Sequence, residues 1–347
     1  VEWPTAAAGS EGWLVSVEED PVDSDITITQ WNVTSQEGVE IISVGWPSAP
    51  SVVVSGQYMV LHNSQNLEFY DLNQIDSAPL SLDGLGTILD VAIAEDSGTV
   101  VLAIMGESSL ILVDVADSGN SIGQLNGTYS IVEASGSLLA WVSEFQSSPT
   151  VNLTSITGGI EIGIELNVTA TEAEDEYLEQ LSGIPVNYSS ATVIDIDMSS
   201  SLLVAVVDVG PVNRTVLVNI LTGERRMLSD PLWQSSSPSI GSNRVAFLQI
   251  AFWDPSDNIV GTNDVYLHEI ESNSTLAITR DDDVNQMEPQ VLLEEVAWIE
   301  VENDGEAILK VYSGETFEPY SSVILQSAIV MLIPLLFLWA YQAASER

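Results

Sequence analysis

The sequence contains no cysteine, two histidines and only seven Lys plus Arg among 347 residues. The absence of cysteine excludes disulfides, thiolate metal sites and a cysteine nucleophile. The two histidines, His62 and His268, are too few for most zinc sites and most histidine-based triads. Because basic residues are so scarce, no patch can neutralise a run of phosphates, and a nucleic-acid partner is therefore excluded.

Acidic residues are correspondingly abundant. The 51 Asp plus Glu residues give a formal net charge of −44. Hydrophobic residues nevertheless make up 45% of the chain, with nine Trp and nine Tyr, so a sizeable core is available and a disordered acidic chain is excluded. This acidic, lysine-poor composition favours a salt-adapted source, and we expect an archaeal, halophilic one.

An apolar triplet recurs seven times along the chain. The copies are Trp13–Val15, Met59–Leu61, Val101–Ala103, Leu139–Trp141, Leu203–Ala205, Val245–Phe247 and Val296–Trp298. Each is followed by a polar turn and by a second strand with alternating apolar residues. The spacing is roughly 40–50 residues, typical of four-stranded propeller blades, apart from one longer interval. The sequence therefore predicts an all-β fold with a seven-bladed β-propeller.

The longer interval contains a segment of different character. Thr171 and Glu174 form a capping-box pattern, apolar residues follow at helical spacing, and Gly183 ends the turn. We predict a short helical insertion at about residues 170–184. Its acidic surface makes it the first candidate for a partner contact, and a connecting segment that folds locally is the alternative.

The last two repeats resemble a known repeat family. The segments SPSIGSNRVAFLQ (237–249) and EPQVLLEEVAWIE (288–300) both place proline seven residues before a Val-Ala-aromatic triplet. The segment NDVYLHEIESNSTLAIT (263–279) resembles the repeats of TolB-like and WD40-like propellers, although the GH and WD dipeptides of WD40 proteins are missing. The resemblance implies a propeller fold and a binding platform, and it carries over no catalytic residues.

The end of the chain is strongly apolar. Residues 323–341 are 19 positions without a charge, and at about 1.5 Å per residue they would extend about 29 Å, the thickness of a hydrocarbon core. We expect a single transmembrane helix over 321–343, with a cytoplasmic tail at 344–347. Residues 1–320 would then form an extracytoplasmic β-propeller at the cell membrane, with the N-terminus outside.

Seven N-x-[ST] sequons precede this segment. Their asparagines are Asn32, Asn126, Asn152, Asn167, Asn187, Asn213 and Asn273. Together with the missing cysteine and the acidic composition, they favour a glycosylated extracellular domain.

No catalytic motif is present. The chain lacks H-E-x-x-H, G-x-S-x-G, a Walker A sequence and a G-x-G-x-x-G that opens a helix. We therefore predict no catalytic residue and no organic cofactor, with His62 in a turn and His268 facing solvent on a strand.

Calcium is the one cofactor that the sequence leaves open. Two acidic loops could supply the oxygen ligands that Ca²⁺ prefers. They contain Asp20, Asp23 and Asp25 in the first repeat and Asp254, Asp257 and Asp264 in the sixth. Neither matches the EF-hand spacing, so solvated acidic loops are the alternative.

These observations favour a membrane-anchored, non-enzymatic binding or scaffold module. Its expected partners are other membrane or cell-envelope proteins, within a larger assembly. The alternative is a surface carbohydrate-active or other hydrolytic enzyme with its site at the mouth of the propeller channel. A cluster of Asp, Glu, Tyr and Arg at that mouth would favour the enzyme.

Overall fold

The structure is a computed structural model. It describes residues 3–10, 13–19, 26–32, 37–46, 48–82, 84–117, 119–144, 148–158, 161–166, 168–250, 262–280, 284–293, 295–301 and 307–313. The chain divides into two compact units, Val1–Tyr312 and Ser313–Arg347. Nearly all described residues belong to the first unit.

Seven antiparallel sheets follow one another along this unit, each built from consecutive strands. Blade 1 contains β1 (Trp3–Ser10), β2 (Trp13–Glu19), β3 (Ile26–Asn32) and β4 (Glu37–Val44). Blade 2 contains β5 (Ser51–Ser55), β6 (Tyr58–His62), β7 (Leu67–Asp71) and β8 (Leu80–Ser81). Blade 3 contains β9 (Ile88–Asp96), β10 (Thr99–Gly106), β11 (Ser109–Asp114) and β12 (Asn120–Asn126). Blade 4 contains β13 (Tyr129–Ser135), β14 (Leu138–Ser143), β15 (Thr150–Ser155) and β16 (Ile162–Glu165).

The remaining blades follow an α-helix, α1 (Glu172–Ser182). Blade 5 contains β17 (Thr192–Ser199), β18 (Leu202–Asp208), β19 (Asn213–Asn219) and β20 (Arg225–Met227). Blade 6 contains β21 (Gln234–Ile240), β22 (Arg244–Ile250), β23 (Asn263–Glu269) and β24 (Ser274–Ala277). Blade 7 contains β25 (Asn285–Val291), β26 (Glu295–Val301) and β27 (Ala307–Ser313). The prediction of an all-β, seven-bladed propeller is confirmed.

The apolar triplets lie in the second strand of each blade, which is buried on both of its faces. On β18, Val204 belongs to a core cluster with residues of blade 6 such as Phe247, whereas the next residue, Ala205, belongs to a core cluster with residues of blade 4 such as Ala140. Because successive side chains of a strand point to opposite faces, both sets must be apolar when each face meets another blade. This explains why these strands are uninterrupted apolar runs.

The sequence prediction missed the innermost strand of each blade. It took the triplets as the start of each repeat, whereas a further strand precedes each triplet and pairs with it, as β13 pairs with β14. These innermost strands carry polar residues and β-bulges, for example between Tyr129 and Ile131. Both features disturb the alternation from which a strand is predicted.

The ring closes between blades 7 and 1 through side chains. The backbone N–H of Ala7 donates to the Glu288 carboxylate at 2.8 Å, and that of Gly9 donates to Gln290 Oε1 at 3.2 Å. Leu14 of blade 1 also packs with apolar residues of blade 7. In the part of the chain that the structure describes, no strand from blade 1 joins the sheet of blade 7.

The helix α1 is short and capped at both ends. Thr171 accepts a hydrogen bond from the backbone N–H of Glu174, whose side chain bonds back to Thr171. Gly183 ends the helix with a left-handed φ of 69°, a conformation that glycine adopts without strain. Leu178 is fully buried and fixes one face of the helix on the propeller.

The expected membrane anchor has no support in the structure. Within the described ranges, no helix has the length and apolar character that crossing a bilayer requires. The segments 321–343 and 344–347 lie outside those ranges. The structure therefore establishes the propeller fold, and the anchor stays a prediction.

The tryptophan of the last triplet tests the assignment of the second strands. Trp298 is 8% exposed and packs between blades 6 and 7, so Trp298→Ala should lower the free energy of unfolding by about 3–4 kcal/mol. We expect the lower part of the usual range because, among the described residues, its buried Nε1 has no hydrogen-bond partner. Urea denaturation checks this value, with Leu221→Ala at a site 82% exposed as the control. Equal stabilities for the two variants would contradict the strand assignment.

Candidate functional site

The innermost strands surround a central channel with two sections that share lining residues. Their volumes are about 390 Å³ and 350 Å³, within the range of ligand sites. Glu133 and Asp197 line both sections, together with Ser239, Val53 and Gly9. The channel is therefore the place where side chains from most of the blades meet.

One residue of each innermost strand lies opposite the middle residue of the neighbouring apolar triplet. We call these seven residues the channel ring. They are Gly9, Val53, Ile93, Glu133, Asp197, Ser239 and Gln290, and each of them lines the channel. Blades 1–3 contribute glycine and apolar residues, whereas blades 4–7 contribute polar ones. One arc of the ring is thus polar and the other is apolar.

Two carboxyl groups are neighbours in the polar arc. Glu133 and Asp197 occupy equivalent positions on the adjacent blades 4 and 5, so they lie side by side in the ring. Asp195 lines the channel two residues before Asp197, and Glu288 lines it in blade 7. Among the described residues that line the channel, none is Lys, Arg or Tyr. Of the Asp, Glu, Tyr and Arg residues that would favour an enzyme, the described lining of the channel therefore contains only Asp and Glu.

Asp197 is held firmly by hydrogen bonds. It accepts from the backbone N–H of Met198 at 2.6 Å and from that of Ile240 in blade 6 at 2.7 Å. The Ser239 hydroxyl donates a further bond to it, and the same oxygen accepts from the N–H of Val291 in blade 7 at 3.0 Å. These contacts fix Asp197 and tie blades 5, 6 and 7 together around the channel.

Glu133 has fewer partners. Its carboxyl accepts from the backbone N–H of Ala134, and the structure shows no hydrogen bond from another blade to it among the described residues. Asp90, in blade 3, resembles Asp197 instead, because it accepts from the N–H of Val132 in blade 4 at 3.2 Å. The acids beside the channel thus differ in how strongly their charged form is stabilised.

Burial raises the pKa of each of these acids. The pKa of Asp195 rises to about 7 through burial and then through the negative charges of Asp197 and Asp90. The pKa values of Asp90 and Asp197 rise to about 6, because burial outweighs their backbone hydrogen bonds. Burial, followed by the charges of Asp197, Asp90 and Asp195, raises the pKa of Glu133 well above its ordinary value. At neutral pH the channel therefore contains both protonated and ionised carboxyl groups.

The prolines of the last two repeats mark bulges in the innermost strands. The register shifts between Ser236 and Ser239 and between Met287 and Gln290. Glu288, the residue before the proline of blade 7, has a positive φ of 47°. An innermost strand tolerates proline because one of its edges faces the channel and needs no ladder hydrogen bond. The bulge redirects the side chains beside it.

Sequence reasoning missed the channel acids, although a signal for them exists. In blades 4–7 a polar residue stands seven positions before the middle of the triplet, as Glu133 precedes Ala140 and Asp197 precedes Val204. The alignment of repeats by their triplets would have shown this column. Its meaning depends on the channel, which a linear pattern does not reveal.

The structure describes one of the six calcium candidates. Asp264 lies on β23, is 6% exposed and accepts from the Thr279 hydroxyl at 3.1 Å. The other candidates, Asp20, Asp23, Asp25, Asp254 and Asp257, lie outside the described residues. Across the described ranges, no group of three or more His, Cys, Asp or Glu is arranged to hold a metal ion. Calcium binding stays a prediction.

The sequon asparagines that the structure describes lie on the outer parts of the blades or in turns. Asn126, Asn187 and Asn273 are exposed, whereas Asn152 and Asn213 are half-buried. Asn32 ends β3, and Asn167 lies outside the described residues. Glycosylation stays a prediction.

The two histidines differ from the sequence expectation. His62 ends the second strand of blade 2 and His268 lies on β23, and they are 4% and 2% exposed rather than in a turn and in solvent. Burial lowers the pKa of His62 to about 4. His268 Nδ1 lies 2.8 Å from Thr275 Oγ1, and burial lowers its pKa as well. Neither side chain lines the channel.

Several solved structures share this fold. A puromycin-hydrolyzing peptidase from Mycobacterium tuberculosis matches with a TM-score of 0.61 at 13% identity, over 91% of this chain and 51% of that one. The β-propeller domain of the Trilobed protease from Pyrococcus furiosus, which has an open velcro topology, matches with 0.59 at 12% identity over 90% and 94%. An acylaminoacyl peptidase from Pyrococcus horikoshii matches with 0.58 at 11% identity over 94% and 54%. No protein-family model and no curated protein sequence matches the chain.

These similarities correct the expected function. We expected a membrane-anchored, non-enzymatic scaffold, but the three similar structures are two peptidases and the propeller domain of a protease. This chain spans about half the length of the two peptidases, 51% and 54%. Because the identities are 11–13%, the likeness establishes the propeller fold alone.

Proposed function

We propose that the chain is a hydrolase whose site is the central channel, with Glu133 as the general acid and Asp197 as the general base. The observation that carries the proposal is the placement of these two carboxyl groups. They occupy the same position on adjacent blades and line both sections of the channel. A pair of neighbouring carboxyl groups with unequal surroundings is a recurrent device for acid–base chemistry at neutral pH.

The unequal hydrogen bonding assigns the two roles. Asp197 accepts from two backbone N–H groups and from the Ser239 hydroxyl, which stabilise its ionised form. Glu133 accepts from the N–H of Ala134, and its pKa lies well above the ordinary value because of burial and the charge of Asp197. Of the two groups, Glu133 is therefore the one whose protonated form is favoured more strongly, and Asp197 is the one whose ionised form is stabilised.

Hydrolysis then needs one water molecule and two proton transfers, one to Asp197 and one from Glu133. Asp197 takes a proton from the water, whose oxygen attacks the electrophilic carbon of the substrate. Glu133 gives its proton to the leaving nitrogen or oxygen as the scissile bond breaks. The proton taken up by Asp197 returns to Glu133 through solvent, and the pair is restored.

The surroundings of the pair restrict the substrate. No basic residue lines the channel within the described residues, so an anionic group would meet uncompensated negative charge. The opposite arc of the ring offers Val53 and Ile93 for apolar contact. Neutral or cationic peptides are therefore the first substrates to test, in keeping with the peptidases among the similar structures. Neutral glycosides are the second, since a carboxyl pair also cleaves glycosidic bonds.

Removal of the acid tests this proposal directly. We expect Glu133→Gln to lower kcat at least about 100-fold on a cleaved peptide or glycoside, because the leaving group then departs unprotonated. Glu95→Gln is the matched control, since Glu95 lines the same channel but is exposed at its mouth. The measurement is product formation by mass spectrometry over pH 4–9, and the wild type should show a bell-shaped profile.

The proposal fails in either of two cases. One is a purified, folded wild-type chain that cleaves no member of a peptide and glycoside library. The other is activity that Glu133→Gln and Glu95→Gln leave equally intact. Asp197→Asn adds a second test of the same step, with its melting temperature measured in parallel because Asp197 also ties blade 5 to blade 6.

A further inference from the structure

A cavity lies between the outer parts of blades 4 and 5. Its volume is about 290 Å³, which is room for a small organic molecule. The cavity is lined by the segment that leads from β16 to α1, by Ser148 and Pro149 just before β15, by Tyr188 and by Arg225 of β20. None of its described lining residues lines the central channel. The cavity is therefore separate from the channel.

The inner wall of this cavity is apolar and firmly held. Leu166, Val168 and Ala191 are at most 4% exposed, and they line the cavity together with Tyr188. The buried Arg214 fixes this wall, because its Nη1 donates to the Val168 carbonyl at 2.9 Å and to the Tyr188 hydroxyl at 2.7 Å. A wall that is already ordered lowers the entropic cost of binding a ligand.

The register of blade 5 turns Arg225 toward the cavity. Arg225 lies opposite Val218 on β19, and Arg226 lies opposite Leu217. Val218 belongs to the core cluster that blades 4 and 5 share, whereas Leu217 belongs to the cluster that blades 5 and 6 share. Since residues paired across two strands lie on the same face of the sheet, Arg225 faces blade 4. Arg226 faces blade 6, where it donates to Asn273.

Arg225 has no counter-charge in the cavity. The described residues form four ion pairs, and none of these includes Arg225. Glu165 is the other charged residue of the described lining. It lies opposite Thr150, next to the pair of Ile164 and Val151, which belongs to the core cluster that blades 4 and 5 share. Because side chains alternate along a strand, that of Glu165 points to the opposite face.

We infer that this cavity binds a small organic monocarboxylate with an apolar body. The carboxylate pairs with the guanidinium of Arg225, whose planar fork of N–H donors matches the two carboxylate oxygens. The apolar body lies against Leu166 and Val168. The cavity shares no described lining residue with the channel, so the inference does not depend on the proposed hydrolase activity.

The single charge and the apolar wall together select this class of ligand. One guanidinium balances one negative charge, so a dianion such as a phosphate monoester would keep an unbalanced charge beside the apolar wall. A neutral apolar molecule would displace water from Arg225 without supplying a partner for it. A monocarboxylate with an apolar body satisfies both parts of the cavity.

The probe for this site is para-fluorohydrocinnamate, whose binding to the full chain is measured by fluorine NMR. We expect Arg225→Gln to weaken binding at least about 10-fold, because a charge-assisted pair of hydrogen bonds is lost. The carboxamide of the same probe should bind the wild type more weakly by a similar factor. Arg226→Gln is the matched control, since Arg226 is the next residue and faces blade 6, and it should leave the affinity unchanged.

Acetate tests the apolar wall, because it has the carboxylate without the apolar body. It should bind at least about 10-fold more weakly than the probe. The inference is wrong if the probe shows no saturable binding to the wild type, or if Arg225→Gln and Arg226→Gln bind it equally well. It is also wrong if the carboxamide or acetate binds as tightly as the probe. Circular dichroism of both variants verifies that the fold is intact.

Discussion

The free energy of unfolding should fall by several kcal/mol as the pH rises from about 4 to about 8. The cause is the group of carboxyl residues beside the channel. Asp195 has a pKa of about 7 in the folded chain, and Asp90 and Asp197 have pKa values of about 6, all raised from 3.8. Glu133 shifts in the same direction.

The sign follows from the number of bound protons. Between the ordinary pKa of an acid and its raised pKa, the folded state holds a proton that the unfolded state has lost. Each such acid stabilises the fold fully below pH of about 4, and this contribution is lost as the pH rises through about 6–7. The buried His62 acts in the opposite direction. Its pKa is lowered from 6.5 to about 4, so the stability from this group falls as the pH drops from 6.5 to about 4. This contribution comes from one titrating group, whereas the opposite one comes from several acids.

Urea denaturation at a series of pH values between 4 and 8 measures the effect. Asp195→Asn should flatten the profile, because it removes the acid with a pKa of about 7. Glu95→Gln, at the exposed mouth of the channel, should leave it unchanged. A stability that is level or rises between pH 4 and 8 in the wild type would contradict the buried placement of these carboxyl groups.

Replacement of Arg214 by alanine should lower the free energy of unfolding by about 3–5 kcal/mol. Its guanidinium is fully buried and donates to Asp175, to the Tyr188 hydroxyl and to backbone carbonyls, among them that of Val168 at 2.9 Å. Removal of the cation leaves Asp175, whose side chain is 19% exposed, and the Val168 carbonyl without the donor that they share. The loss should therefore exceed that of an ordinary ion pair.

Arg226→Ala supplies the comparison. Its side chain is 34% exposed and pairs with a Glu224 side chain that is 66% exposed, so we expect a loss of no more than about 1 kcal/mol. A double-mutant cycle of Arg214→Ala with Asp175→Asn measures the coupling, which should be above about 1 kcal/mol. Equal losses for Arg214→Ala and Arg226→Ala would show that Arg214 does not hold α1 on the propeller.

The second strands of the blades were accessible from sequence because of where they lie. Residues such as Val204 and Ala205 contact a neighbouring blade on each side, so every position is apolar and the triplet recurs. Each innermost strand pairs with the second strand of its blade along one edge, and its other edge faces the channel. Their bulges and polar residues, such as Glu133 opposite Ala140, remove the alternation. The second strand is recognisable because both of its faces are buried. The polar residues and bulges of the innermost strand make its sequence resemble that of a loop.

The histidines and Arg214 show a different limit. His62 and His268 were expected in a turn and on an exposed face, and both are buried. Nothing in the local sequence distinguishes Arg214, whose partner Asp175 lies 39 positions away in the insertion. A polar residue is normally assigned to the surface, because burial is costly without partners. Where the partners come from distant segments, the local pattern predicts the wrong environment.

The sequence by itself determined the all-β class, the number of blades and the capped helix between blades 4 and 5. These features depend on local periodicity, turn residues and caps, which are encoded within short segments. Only the tertiary structure placed Glu133 beside Asp197, because the two residues belong to successive repeats separated by the helical insertion. Closure of the ring brings equivalent positions of all blades to one channel. The chemistry of the site is therefore a property of the ring, whereas each blade by itself carries only one or two of its groups.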